Sequence, residues 1–218
     1  AHLIIFSNIM NFSNKSLIFD VGFHLGSLMA ILFYFNKELL NIPNDKRLFN
    51  LLLIGSIPLI LVGYIFYSTG MINSFRNLET IAWTTLVFGI LMYFSDTFKV
   101  KKNIEKDLSI KNILIIGVLQ IFAIIPGVSR AGITITAGRF LNFDRHDSAK
   151  ISFYLSIPAL IGASVLSLKD AISEDLEFNF LLIISIILSF IFSYLTIKYF
   201  LIYTKKFSLK FFVIYRVI

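Results

Sequence analysis

The chain has 218 residues, of which 57% are hydrophobic and only 15% charged. Soluble domains carry about 25% charged residues, so a water-soluble bundle is disfavoured and an all-α polytopic membrane protein is expected. The net charge of +7 resides in short loops between apolar runs rather than on a binding stripe, so no nucleic-acid partner is expected; the lack of cysteine rules out disulfides, thiolate metal sites and a cysteine nucleophile.

In chain order, apolar runs of spanning length cover 17–35, 49–67, 80–95, 151–168 and 180–203, and a sixth starts at Phe211. The loops between them alternate in basic residues. Loop 36–48 holds Lys37, Lys46 and Arg47, and loop 68–79 only Arg76. Loop 96–111 holds five lysines, loop 169–179 only Lys169 against four acids, and loop 204–210 three lysines. The rich loops belong on the cytoplasmic side. Run 151–168 must then leave that side, which puts Arg139, Arg145 and Lys150 inside. Residues 112–141 therefore enter and return on one side, as two arms (112–125 and 131–141) too short to span, broken at Pro126-Gly127. This predicts a re-entrant helical hairpin with PGVSRAG at its tip. Broken helices at membrane depth are tolerated where they line an enclosed, wettable cavity.

An offset of 130 residues aligns AHLII (residues 1–5) with AGITI (131–135) and brings the runs at 17, 49 and 80 near those at 151, 180 and 211. The expected organisation is a single membrane domain of two inverted repeats, each a re-entrant hairpin plus three transmembrane helices. Residues 1–111 form the first repeat with a cytoplasmic linker, and 112–218 the second. The sequence opens at Ala1-His2 without an initiator Met and stops within FFVIYRVI. It reads as a piece cut at both ends, with most of the first hairpin upstream and the last helix incomplete.

The tip carries the chemistry. Arg130 is too costly in an apolar run to lack a task or a partner. Gly127 and Gly132 allow a tight turn and close approach to a ligand. A helix starting near Arg130 would aim its free amides and positive end at an anion. Arg130 would add a donor fork shaped for phosphate oxygens, and Ser129 and Thr134 would add hydroxyls. The competing reading is a structural arginine that pairs an acid or caps carbonyls between helices. Of the histidines, His2 falls opposite Gly132 in the repeat and could serve as nucleophile or proton donor. His24 reads as a packing residue and His146 as solvated. Gln120, on the incoming arm, is placed to hydrogen-bond the site, and Pro58 and Pro158 read as helix kinks.

PGVSRAGITIT resembles the PG-x-SR-S-G-x-T motif of the undecaprenyl pyrophosphate phosphatase (UppP/BacA) family of bacterial inner-membrane enzymes, with Ala131 where the family has Ser. AHLII resembles the end of that family's first motif, and FHLGSLMAILFYF, SFYLSIPALIGA and the terminal FVIYR resemble later segments in the same order. The resemblance implies inverted repeats with paired hairpins and removal of the terminal phosphate from undecaprenyl diphosphate, a membrane-lipid substrate. It also implies a site containing His2, Ser129, Arg130 and Thr134. The family's glutamate pair, which holds a divalent metal such as Mg or Ca, would lie upstream of Ala1. Serine and His2 both remain open as nucleophile or proton donor. The alternative class is a transporter or lipid flippase, since inverted repeats meeting at broken helices also build transporters. A second phosphatase superfamily expects a histidine about six residues after the arginine, where this chain has Thr136 and Ala137. Oligomeric state is not indicated.

Overall fold

The computed structural model describes residues 16–41, 46–173 and 180–217. The elements in order are α1 (Ser16–Tyr34), α2 (Asn36–Asn41), α3 (Lys46–Ser68), a 3-10 turn (Met71–Phe75), α4 (Leu78–Asp96) and α5 (Ile104–Asp107). There follow α6 (Ile110–Gln120), a 3-10 turn (Ile121–Ile124), α7 (Arg130–Phe140), α8 (Arg145–Ser173), α9 (Phe180–Lys206) and α10 (Lys210–Val217). Four helices among the described residues are long and apolar enough to cross a membrane: Arg47–Ser68, Leu78–Asp96, Arg145–Ser173 and Phe180–Lys206. Ile18–Tyr34 is a shorter apolar helix. Large apolar side chains such as Leu61, Trp83 and Phe192 are well exposed along them. A soluble protein hides such surface, whereas lipid covers it at no cost. The chain is an all-α polytopic membrane protein. The first expected hairpin, with His2, lies outside the described residues.

The described residues pack as two groups. In one, α1 lies against α9 and the 156–173 part of α8. A Cβ at Gly22 would overlap Ser185, and one at Gly26 would fall 2.5 Å from the Ile186 carbonyl oxygen. The two glycines, four residues apart, let the backbones touch. Around this seam Val21, Ala171 and Leu182 form a core flanked by Ile18, Leu25, Leu168 and Ile186. Ser27 adds hydroxyl contacts to Ser189 (3.2 Å) and Ser193 (3.0 Å), which satisfy polar groups that lipid could not.

The other group, residues 47–155 with 201–217, contains the hairpin of α6 and α7. Ser109 caps α6 by accepting the Asn112 amide (3.3 Å). The return arm α7 ends in a left-handed Asn142 (φ 70°), with Asn142 N–H bonded to Arg139 O (2.9 Å) and Phe143 N–H to Gly138 O (3.1 Å). That pair of bonds is the Schellman closure, for which asparagine is the next choice after glycine. The Asn142 carbonyl then accepts the amides of Lys101 and Lys102, just upstream of α5. The end of α7 is thus tied to the segment that leads into α5. Gly117 of α6 and Gly55 of α3 meet backbone to backbone, since a Cβ on Gly117 would overlap the Gly55 carbonyl.

One boundary differs from expectation. Residues 141–150 read as loop, yet α8 starts at Arg145. Asp144 accepts the Asp147 amide through Oδ1 at 2.6 Å, which caps the helix a turn and a half before the apolar run begins. Helices α3 and α8 also run on through Pro58 and Pro158.

Candidate active site

The tip of the hairpin is built around two residues in the left-handed region. Gly127 has φ 95°, and a Cβ there would overlap Thr84 Oγ1 and sit 2.7 Å from the Ile81 carbonyl oxygen, so both conformation and space demand glycine. Ser129 has φ 65° and ψ 114°, a conformation costing a non-glycine residue about 1–3 kcal/mol. Its compensation is local. Ser129 Oγ accepts the Gly132 amide (3.2 Å) and its carbonyl accepts the Ile133 amide (3.0 Å), so Ser129 caps α7 and Arg130 becomes its first residue.

Ser129 and Ala131 are exposed and Arg130 is partly buried, while Val128 and Gly132 on either side are buried. Residues 129–131 therefore form the open face of the turn. The positive end of an eleven-residue helix opens there, with Ser129 and Ala131 exposed and Arg130 partly buried between them.

The loop is held from behind by α4 and α10. The Thr84 hydroxyl donates to Pro126 O (2.7 Å) and Thr85 reaches Gly127 O (3.3 Å). Arg216 donates from Nη2 to both Gly127 O (2.6 Å) and Val128 O (2.7 Å). Gly132 is buried because that guanidinium fills the space its side chain would take: a Cβ would come 2.5 Å from Arg216 Nη1 and 3.3 Å from Met92. Thr134 is 1% exposed, its hydroxyl 2.9 Å from Arg130 O and 2.7 Å from Ser152 Oγ. It secures the first turn of α7 to α8.

The base of the hairpin is a separate ionic cluster. Arg145 pairs with Asp96 in a two-point contact, Nε to Oδ1 at 2.6 Å and Nη2 to Oδ2 at 3.1 Å. Arg139, 2% exposed, approaches the same carboxylate at 3.7 Å and donates to the carbonyls of Phe143, Asp96 and Phe98. Asp96 also accepts the Leu209 amide (3.1 Å) and thereby fixes the entry to α10.

The structure thus brings Gly127, Ser129, Arg130, Gly132 and Thr134 into one turn. His24 is partly buried on α1. His146, expected to be solvated, has Nδ1 3.2 Å from Leu201 O, because the early start of α8 carries it into the packing. Gln120 is fully buried, and neither polar atom of its side chain has a hydrogen-bond partner among the described residues. Sequence reasoning assigned nothing to Thr84, Thr85, Asp96 or Arg216. The signal for them is the one that exposed Arg130, a polar residue inside an apolar run; what was missing was their partner.

The family model for bacitracin resistance protein BacA matches residues 1–218. The chain is 57% identical over 219 residues to the undecaprenyl-diphosphatase of Pelagibacter ubique (strain HTCC1062), an alignment covering 100% of this chain and 86% of that protein. The undecaprenyl-diphosphatase of Elusimicrobium minutum (strain Pei191) is 37% identical over 226 residues, again covering 100% of this chain and 86% of the relative. That of Alcanivorax borkumensis is 34% identical over 232 residues, covering 100% and 87%. With its capped, arginine-opened turn and a match along its whole length, the chain belongs to the BacA family.

Proposed function

We propose that the chain is the membrane body of an undecaprenyl-diphosphate phosphatase of the bacterial cytoplasmic (inner) membrane. Water is added to the terminal phosphorus of undecaprenyl diphosphate and the bond to the bridging oxygen breaks. Undecaprenyl phosphate and inorganic phosphate leave, and the lipid carrier returns to peptidoglycan synthesis. The observation that carries the reading is the turn itself: a strained Ser129 on the open face of the chain, opening a helix at Arg130. Strain of this kind persists where the surroundings over-determine it, commonly at ligand-binding turns. The names of the relatives support hydrolysis over lipid movement.

Within this reading Arg130 holds the diphosphate and offsets the charge that moves onto the leaving phosphate oxygen, with the α7 amides behind it. The Ser129 oxygen already accepts the Gly132 amide, which leaves its hydroxyl proton free to donate to a phosphate oxygen. Gly127 and Gly132 shape the turn, and Thr134 contributes by keeping the first turn of α7 in register. His2, outside the described residues, keeps the role of nucleophile or proton donor assigned by the motif. Among the described residues no cluster of three or more His, Asp or Glu side chains could hold a metal ion, so the divalent metal that the resemblance implies finds no ligand set among them.

The test is phosphate release from undecaprenyl diphosphate in detergent by the full-length protein carrying this chain, with Arg130→Ala beside it. A drop in kcat/KM of about 100-fold or more is expected. Equal activity in the two would make Arg130 structural. Movement of labelled lipid without phosphate release, in a well-folded wild type, would move the protein to the transporter class.

A further inference from the structure

Arg216 does more at the tip than its hydrogen bonds account for. Its Nη2 serves the carbonyls of Gly127 and Val128. Its Nη1 is buried and has no hydrogen-bond partner among the described residues. That nitrogen lies against the first turn of α7, since a Cβ on Gly132 would stand 2.5 Å from it. The ion pairs found among the described residues involve Asp96 at the other end of the hairpin, and none includes Arg216. A guanidinium is a fixed fork of donors with no capacity to accept, so its second nitrogen must find an acceptor or remain a buried charge without one. The two loop carbonyls beside it are taken by Nη2, and the first turn of α7, which opens at Arg130, lies next to Nη1. A group rich in acceptor oxygens and negative charge would complete this arrangement.

We propose that Arg216 is a second phosphate-contacting arginine of this site, with Nη2 bracing the tip and Nη1 donating to an oxygen of the bound diphosphate. The inference rests on the phosphatase reading for the identity of the ligand, but binding of the anion can be measured apart from turnover.

The experiment uses inorganic diphosphate as the probe, with its Kd measured by titration calorimetry on the full-length protein in detergent. Wild type, Arg216→Lys, Arg216→Ala and Arg130→Ala are compared, and folding is read from Tm in the same detergent. Arg216→Lys keeps the charge and the stem, but one ammonium cannot serve two loop carbonyls and a phosphate oxygen together. It should weaken diphosphate binding about tenfold, one good charge-assisted contact, while Tm stays near that of wild type. Should Arg216→Ala fail to fold, the lysine variant carries the test. A fall in kcat with the diphosphate Kd within twofold of wild type would make Arg216 a brace of the loop alone and overturn the contact. Weakened diphosphate binding in Arg216→Lys together with no phosphate release from wild type would keep the contact and overturn the phosphatase reading.

Discussion

The two ends of the α6–α7 hairpin use arginine in opposite ways. At the base, Asp96 gathers Arg145 and Arg139 around one carboxylate; Arg139 gives Nη1 and Nη2 to three carbonyls while its Nε faces the carboxylate at 3.7 Å. At the tip no carboxylate among the described residues pairs with Arg216, the cap residue is strained, and Ser129 and Ala131 are exposed. An ion pair removed from water is costly to disturb, and so fixes geometry. An arginine whose donors are left over is suited to a ligand that arrives with charge of its own. The base therefore holds the hairpin, and the tip carries the donors that the proposed anion site would use.

Breaking the base should have the largest effect. Asp96→Ala leaves Arg139 buried without its counter-charge and frees the Leu209 amide, a loss of about 3–5 kcal/mol for a broken buried pair. The expected outcome is a fall in Tm in detergent together with loss of activity. An unchanged Tm would remove the contrast drawn between the two ends.

Changes at the tip should act on turnover instead. Arg130→Ala is expected to lower kcat/KM about 100-fold, or about 2.7 kcal/mol, with little change in Tm. Gly127→Ala forces a Cβ into a left-handed residue packed on Thr84 and Ile81, at a cost of about 1–3 kcal/mol, read as lower Tm and lower activity together. Thr134→Val keeps the shape but leaves Ser152 without its hydroxyl partner, worth about 1 kcal/mol in a melting curve. Ser129→Gly is the smallest in stability and sharpens the comparison most. Glycine relaxes the φ of 65° and caps helices only a few tenths of a kcal/mol less well than serine. Tm should therefore hold, while phosphate release falls because the hydroxyl is gone. Full activity in this variant would assign Ser129 to capping alone.

Much of the architecture was legible from the chain. The run 80–95 became α4 (Leu78–Asp96), and 180–203 became α9 (Phe180–Lys206), because lipid-facing helices are written as unbroken apolar lengths. The hairpin over 112–141 followed from loop charge and from two arms too short to span. Pro126-Gly127 marked its break. The start of α8 was missed because the capping signal, Asp144 to Asp147, lies in a polar stretch that a hydropathy reading assigns to loop.

What the sequence determined by itself was therefore local or periodic: the class of protein, the four long apolar helices, the glycine the turn requires at 127, and the helix start at Ser129-Arg130. The partners were decided by tertiary structure alone. Thr84 and Arg216 are 42 and 89 residues from the tip carbonyls they hold, and Asp96 is 49 residues from Arg145. Gly132 looked like room for a ligand and is in part room for Arg216. The reason is physical: a residue's propensity and period are carried in its neighbours along the chain. The acceptor that a buried donor finds depends on which helix packs against it, and only the fold supplies that.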